Sequence, residues 1–398
     1  VQRDSSKSQI ISKTPRPVIL SEFGPPALAC IRSWGKSGFS VGMICVRSRA
    51  TVSPDSRYLA SYCSLSPKDL FTENGIRIIS DYLDSFGATC IIAINEKISC
   101  WLNDNRHQIS SSVLICAPPN DVALSLLSKS NQLNVARELG FDALPTYHID
   151  KDLDSSGRVL PIHFPLCIRP NAPNTIHPGF KVRIEESPEK LRQFVNGLQK
   201  VDVPMLAQPF ADLPNLVVHG ARTIDGEVFG LAGFLVDRKF QGVTLTLRPY
   251  SIDKTLQDKC SAFADRFKIT GSFHFEFLLD LKSNRTLFLE LNARLGGTTA
   301  KVYACGYNEP LLALSAYAMG QFKPSPISQY VVSGKHALAK YMIYALTRRL
   351  SALDYPNEST YKRLIKSIYG LIAFKDEILN LTDIRGSLAF YRSLLCRS

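Results

Sequence analysis

The sequence has no uninterrupted apolar run approaching 18 residues, which excludes a helical membrane span. It also has no CxxC pair. Its ten cysteines, Cys30, Cys45, Cys63, Cys90, Cys100, Cys116, Cys167, Cys260, Cys305 and Cys396, lie far apart, many of them inside apolar runs. That spacing argues against a zinc site or a disulfide framework, and the expectation is reduced, mostly buried thiols in a cytoplasmic protein. The GxGxxG spacing is missing; Gly24 alone makes no dinucleotide fingerprint, so NAD binding is set aside. Blocks of one charge are missing too. The net charge is +12, but Lys and Arg are scattered among acidic and apolar residues, and no nucleic-acid partner is expected. The first ten residues lack the apolar centre of a signal peptide, while a start at Val1 leaves a targeting segment upstream open.

What is present is the composition of a folded protein. Over 398 residues, 45% are apolar and 21% charged, so two or three domains are expected. The polar residues 1–15 read as a disordered tail. Val18-Ile19-Leu20 reads as a strand, Gly24-Pro25-Pro26 as a turn into an apolar helix ending near Trp34, and 41–46 as the next strand. Two more short buried strands follow at 90–94 and 113–116. Apolar strands separated by helical lengths argue for a parallel sheet with helices on both faces over 16–120.

Further on, Asp121 is placed to cap a helix carrying Val122, Leu124, Leu126 and Leu127 and continuing through Lys129, Leu133, Ala136 and Leu139 to a stop at Gly140. A helix lysine such as Lys129 is ordinarily solvent-facing. Leu166-Cys167-Ile168-Arg169-Pro170 is a strand ending in an arginine, whose guanidinium can fork onto phosphate oxygens. The loop 171–179 holds Pro173, Pro178 and one glycine, so it is no phosphate-wrapping glycine-rich loop. Lys181 follows, then alternation at 182–185 as in a half-buried strand, and a helix opening at Pro188. Met205-Leu206-Ala207-Gln208 is a strand running into Pro209-Phe210-Ala211. The Pro209 carbonyl can accept from an adenine amine and the Ala211 N–H can donate to a ring nitrogen, or this is an ordinary strand end.

The strongest pattern lies at 273–297. In Phe273-His274-Phe275-Glu276-Phe277 the period of two puts three phenylalanines on one face and His274 and Glu276 on the other. In 287–292, Leu287, Leu289 and Leu291 are expected on one face, with Glu290 and Asn292 opposite. A hairpin centred near Ser283 sets Glu276 across from Glu290, with Asn292 two residues on. Opposed carboxylates repel, and magnesium resolves the conflict because it takes hard oxygen ligands and shares them with nucleotide phosphates. A solvated hairpin face is the alternative, but Arg294-Leu295-Gly296-Gly297 follows at once. His274 is expected to be structural or to support the ligands, not to bind the metal.

These residues resemble the ATP-grasp superfamily, and most closely its carboxylate–amine ligase branch. The resemblance runs from about residue 18 to 310 and is most specific at 271–297. It implies an α/β and α+β architecture: an N-terminal parallel-sheet, Rossmann-like domain at 16–120 and an ATP-grasp domain at 121–310 with a lid at about 145–207. Residues 311–398 carry no motif of the family; their apolar helical stretches, such as 337–346 and 364–374, read as a mostly helical extension. It further implies ATP bound between two α+β subdomains, magnesium (or manganese) as the metal, and a carboxylate activated as an acyl phosphate before joining an amine. By this resemblance Lys129 reaches nucleotide phosphate, Arg169 stands where a lysine usually ends the first lid strand, and Lys181 is the lysine after the lid loop. Gln208, Pro209, Phe210 and Ala211 match the adenine hinge, with Gln208 in place of the more usual Glu. Asn215 lies where an acidic ribose contact is expected. Glu276, Glu290 and Asn292 match the metal ligands, Arg294 an arginine near the transferred phosphoryl group, and Gly296-Gly297 a loop facing the substrate. Arg222 and Arg248 are further candidates for substrate contact. The implied partners are small carboxylates and amines, amino acids foremost; a homodimer stays open. A carboxylase, a thiol ligase or a noncatalytic nucleotide-binding protein are the alternatives.

Overall fold

A computed structural model of the chain describes residues 14–48, 52–150 and 163–396. All but the last two residues of the expected disordered tail lie outside them. The N-terminal unit comprises β1 (Pro17–Ser21), α1 (Pro25–Lys36), β2 (Val41–Val46), β3 (Leu59–Leu65), α2 (Glu73–Phe86), β4 (Cys90–Ala93), α3 (Glu96–Asp104) and β5 (Leu114–Ile115). Its strands form one parallel sheet in the order β3-β2-β1-β4-β5. The central strands β1, β2 and β4 are apolar on both faces because helices cover both. The edge strand β3 has no such run; its Leu-Ala-Ser-Tyr-Cys-Ser-Leu is mostly part-exposed, which is why periodicity alone does not mark it.

Next come α4 (Asn120–Leu127), α5 (Lys129–Glu138), β6 (Asp142–Ala143), β7 (Tyr147–Ile149), β8 (Leu166–Arg169), β9 (Ile176–His177), β10 (Arg183–Glu185), α6 (Pro188–Asn196), β11 (Lys200–Val201) and β12 (Met205–Pro209). The single helix expected from Asp121 to Leu139 is two helices. Ser128 is extended, and its hydroxyl accepts from Asn131 N, so it caps α5, while Asp121 lies in the first turn of α4. Strands β10-β8-β12-β7 form a small antiparallel sheet, with β9 and β11 paired beside it.

The main sheet is built from β13 (Asn215–Arg222), β14 (Val228–Phe240), β15 (Val243–Tyr250), α7 (Lys254–Arg266), β16 (Gly271–Asp280), β17 (Arg285–Asn292), α8 (Thr299–Ala304), α9 (Glu309–Ser315), β18 (Val332–Ser333), α10 (Lys335–Leu346), α11 (Thr360–Ala373), β19 (Lys375–Asp376) and α12 (Ile384–Leu395). Eight strands run in the order β19-β18-β15-β14-β13-β16-β17-β6. One face packs on α5 and α7 through Phe141, Phe263, Phe275, Phe277 and Phe288. Residues 311–398 therefore supply two short edge strands to this sheet besides their helices. No helix among the described residues is long and apolar enough to cross a membrane.

In the β16–β17 hairpin the register places Glu276 opposite Glu290 and His274 opposite Asn292. One detail differs from the expected alternation. The ladder steps from Glu276↔Glu290 to Phe277↔Phe288, leaving Leu289 as an extra residue. This bulge changes the parity of β17, so Phe288, not Leu287 or Leu289, joins Leu291 in the core.

Candidate active site

The polar face of the hairpin collects residues that are distant in sequence. Glu290 Oε2 lies 3.0 Å from Lys129 Nζ and 3.6 Å from Arg169 Nη1. The break at Ser128 puts Lys129 in the first turn of α5, where the helix dipole opposes a cation; Glu290 offsets that penalty. Arg169 ends β8, buried between β10 and β12, and its Nη2 donates to Gln208 Oε1 at 3.0 Å. Gln208 Nε2 in turn donates to Thr146 Oγ1 at 2.8 Å. The small sheet is thereby tied to the hairpin through charged and amide groups.

Glu276 is held separately. Its Oε2 accepts from Asn215 Nδ2 at 3.1 Å, and Asn215 Oδ1 accepts from Lys239 Nζ at 3.0 Å. The two carboxylates consequently titrate in opposite directions. Burial, and then the charge of Glu290, push the Glu276 carboxyl up. Burial also works against ionisation of Glu290, but Lys129, Arg169 and a hydrogen bond from Asn292 outweigh it and bring its pKa down to about 2. Burial lowers the Lys239 pKa, while Glu276 and Asp212 work the other way.

The expected hinge is the half-buried end of β12. Phe210 N donates to Pro165 O, and Pro209 pairs with Leu166, so ladder alternation turns the Pro209 carbonyl and the Ala211 N–H away from β8. The pairing of β7 with β12 stops opposite Ala207.

Beyond the hairpin, Arg294 Nε lies 3.5 Å from Glu96 Oε1, which brings α3 of the N-terminal unit to the mouth of the site. His274 is buried: its Nδ1 donates to Arg294 O at 3.2 Å, and its ring stacks on His219. Burial, His219 and Arg294 hold the His274 pKa well below its ordinary value. His219 Nδ1 lies 2.7 Å from Glu309 Oε1, and its Nε2 3.1 Å from Thr298 Oγ1. Gly296 N donates to Thr299 Oγ1. A Cβ on Gly296 would come within 2.5 Å of the His274 ring, whereas one on Gly297 would meet open space. The first glycine is therefore required by packing, whereas the second is exposed.

Three expected residues are not brought to the carboxylates. Lys181 is exposed ahead of β10 and pairs with no carboxylate among the described residues. Arg222 binds Asp265 Oδ1 at 2.7 Å and Ile269 O at 3.1 Å, holding α7 against the sheet. Arg248 pairs with Asp237 at 3.2 Å on a partly exposed edge.

Sequence reasoning missed two residues. Lys239 sits in the charged run Asp237-Arg238-Lys239, which reads as a solvated strand end, and nothing local marks it. Gln132 is the other. Strand β6 pairs with β17 only at Leu287 and Phe288, and past the bulge the Gln132 amide takes over, accepting from Leu291 N at 2.6 Å and donating to Leu291 O at 3.0 Å. It thus fixes the residue between Glu290 and Asn292. A lone glutamine in a helix gives no sign of this.

Comparison with solved structures identifies the architecture: the chain has the ATP-grasp fold. It is similar to an L-amino acid ligase from Bacillus licheniformis, with a TM-score of 0.56 and 14% identity over 76% of this chain and 74% of that one. It is also similar to the biotin carboxylase domain of Hydrogenobacter thermophilus 2-oxoglutarate carboxylase, in a structure holding MgADP, ADP and bicarbonate (TM-score 0.61, 16% identity, 80% and 74% covered). A third is the Staphylococcus aureus N5-carboxyaminoimidazole synthetase complexed with ADP, at 0.58, 14%, 80% and 82%. No protein-family model and no curated protein matches the sequence.

Proposed function

We propose that this chain is an ATP-dependent carboxylate–amine ligase that forms an amide or peptide bond through an acyl phosphate and releases ADP and phosphate. The observation that carries this reading is Glu276 opposite Glu290, with Lys129 and Arg169 converging on the same carboxylate from two other elements. The donor set suits magnesium, or manganese: two carboxylates and the Asn292 amide oxygen, with Glu290 kept ionised. A divalent cation held by Glu276, Glu290 and Asn292 would supply neutralisation of phosphate charge.

The remaining roles belong to the chain's own groups. The Pro209 carbonyl and Ala211 N–H receive the adenine edge, with Gln208 and Phe210 shaping the hinge. Lys129 and Arg169 offset phosphate charge, and Lys181 is assigned to the same phosphates from the lid. Asn215 and Lys239 orient Glu276. A substrate carboxylate oxygen attacks the γ-phosphorus in line, the bond to the ADP oxygen breaks, and Arg294 steadies the acyl phosphate. A neutral amine then attacks the acyl carbon, phosphate leaves, and the amine proton passes to solvent. No protein nucleophile is required; positioning and charge stabilisation carry the chemistry. Amino acids are the proposed substrate class and the cytoplasm the proposed location. The contacts of Arg222 and Arg248 favour structural roles for both.

Product analysis tests the reading. ADP and phosphate are expected only when an acid and an amine are both present; AMP and pyrophosphate would overturn the acyl-phosphate route. The biotin carboxylase domain matches at least as well as the amino acid ligase, so bicarbonate is the second reading, and bicarbonate-dependent ADP release without an amine would select it. Glu290→Ala is expected to lower turnover about 100-fold or more with an unchanged circular dichroism spectrum. Near-normal activity would contradict a metal role.

A further inference from the structure

The α10–α11 pair is anchored to the sheet from its inner side. Arg238 binds Glu358 at 2.8 Å and the Tyr341 hydroxyl at 2.6 Å, and Arg363 binds the same hydroxyl at 2.9 Å. Its outer side is unlike an ordinary surface. Along α11, Tyr361, Ile365, Ile368, Tyr369 and Ile372 are 73%, 48%, 49%, 61% and 80% exposed. At 3.6 residues per turn these five fall in one strip about 100° wide. On α10, Ile343 and Leu346 are exposed as well. Scattered exposed apolar residues are normal, but five on one strip of one helix mark a contact surface.

The charge around the strip says what kind of surface fits. Between residues 335 and 375 the only acidic residues are Asp354 and Glu358. Asp354 is buried and takes backbone N–H groups of Gln241 and Ser351, while Glu358 is bound by Arg238 and Lys366. The exposed charges of the pair and the turn after α10, Lys340, Arg348, Arg349, Lys362 and Lys366, are all cationic. A second copy docked on this face by a two-fold axis would set these cations against their own copies. A neutral surface would leave Lys340, Arg348, Arg349 and Lys362 unmatched. An anionic bilayer matches both features: isoleucines enter the acyl boundary, tyrosines sit at the interface, and lysines and arginines meet the headgroups.

We propose that the outer face of α11, flanked by the basic residues of α10 and α11, docks the protein on an anionic phospholipid surface. The inference does not depend on the reaction proposed above. The full chain is incubated with vesicles of phosphatidylcholine, with or without phosphatidylserine, and sedimented. Binding is expected only to the phosphatidylserine vesicles and is expected to fall as salt rises. Ile368→Glu with Ile372→Glu should reduce the bound fraction about tenfold or more, and so should Lys340→Ala with Lys362→Ala. All four positions are exposed, and circular dichroism verifies that each variant is folded. Absence of vesicle binding, or equal binding to both vesicle types, would overturn the proposal. So would light scattering that shows a dimer which Ile368→Glu with Ile372→Glu dissociates, because a second copy would then be what covers the strip.

Discussion

Glu276 and Glu290 show how neighbouring residues of one type are given different states. They face each other across a ladder, yet one is held by an amide and the other by two cations, so only Glu290 is driven fully towards the ionised form. The supporting residues matter as much as the proposed metal ligands. Gln132→Leu would leave the backbone N–H and C=O of Leu291 without their side-chain partners, at about 1–3 kcal/mol for each buried group. A lower urea midpoint and a weaker nucleotide affinity are expected together, measured by chemical denaturation and by titration with ADP and magnesium. Unchanged affinity would show that Gln132 supports the fold and not the proposed metal site.

The elements matter through their irregularities. The bulge at Leu289 leaves Glu276 and Glu290 paired while putting Phe288 into the cluster of Phe141, Phe263, Phe275 and Phe277. Phe288→Ala should therefore cost about 3–5 kcal/mol of stability, and Leu289→Ala or Leu287→Ala less than half of that, read from denaturation midpoints. The reverse order would mean that the strand keeps a strict alternation. The break at Ser128 matters in the same way. A continuous helix would bury Lys129 in mid-turn or turn it to solvent, whereas an extended residue there starts a new helix with Lys129 facing Glu290. Capping and bulges depend on what packs alongside, so periodicity locates the elements and not these joints.

The whole molecule is closed by contacts between its ends. Arg32 of α1 binds Asp383, at the start of α12, with Nε 2.8 Å from Oδ2, and Asp383 also accepts from Ser56 Oγ and Arg57 N. Burial pushes the Asp383 carboxyl up, but these donors outweigh it and hold its pKa below the ordinary value. A depressed folded-state pKa contributes stability that is present above the unfolded value of about 3.9 and lost as pH falls through the lower folded value. Asp383→Asn should leave Arg32 buried without its counter-ion, costing about 3–5 kcal/mol at neutral pH. The difference from the native chain should narrow as the pH drops below 4, followed by urea denaturation across that range. A difference that stays constant with pH would mean that the pair contributes no charge-dependent stability.

The sequence by itself determined the parallel N-terminal sheet, the hairpin register that opposes Glu276 to Glu290, and the strand end at Arg169, because each rests on local periodicity and on charges whose spacing is legible along one element. Tertiary structure alone decided that Lys129 and Arg169 meet on Glu290, that Lys239 reaches Asn215, and that Gln132 completes the ladder of β17. It also decided that Arg222 pairs with Asp265, that Arg248 pairs with Asp237, and that Lys181 stays exposed. Those outcomes depend on which elements pack together over separations of tens to hundreds of residues, and no local pattern encodes the partner of a buried charge.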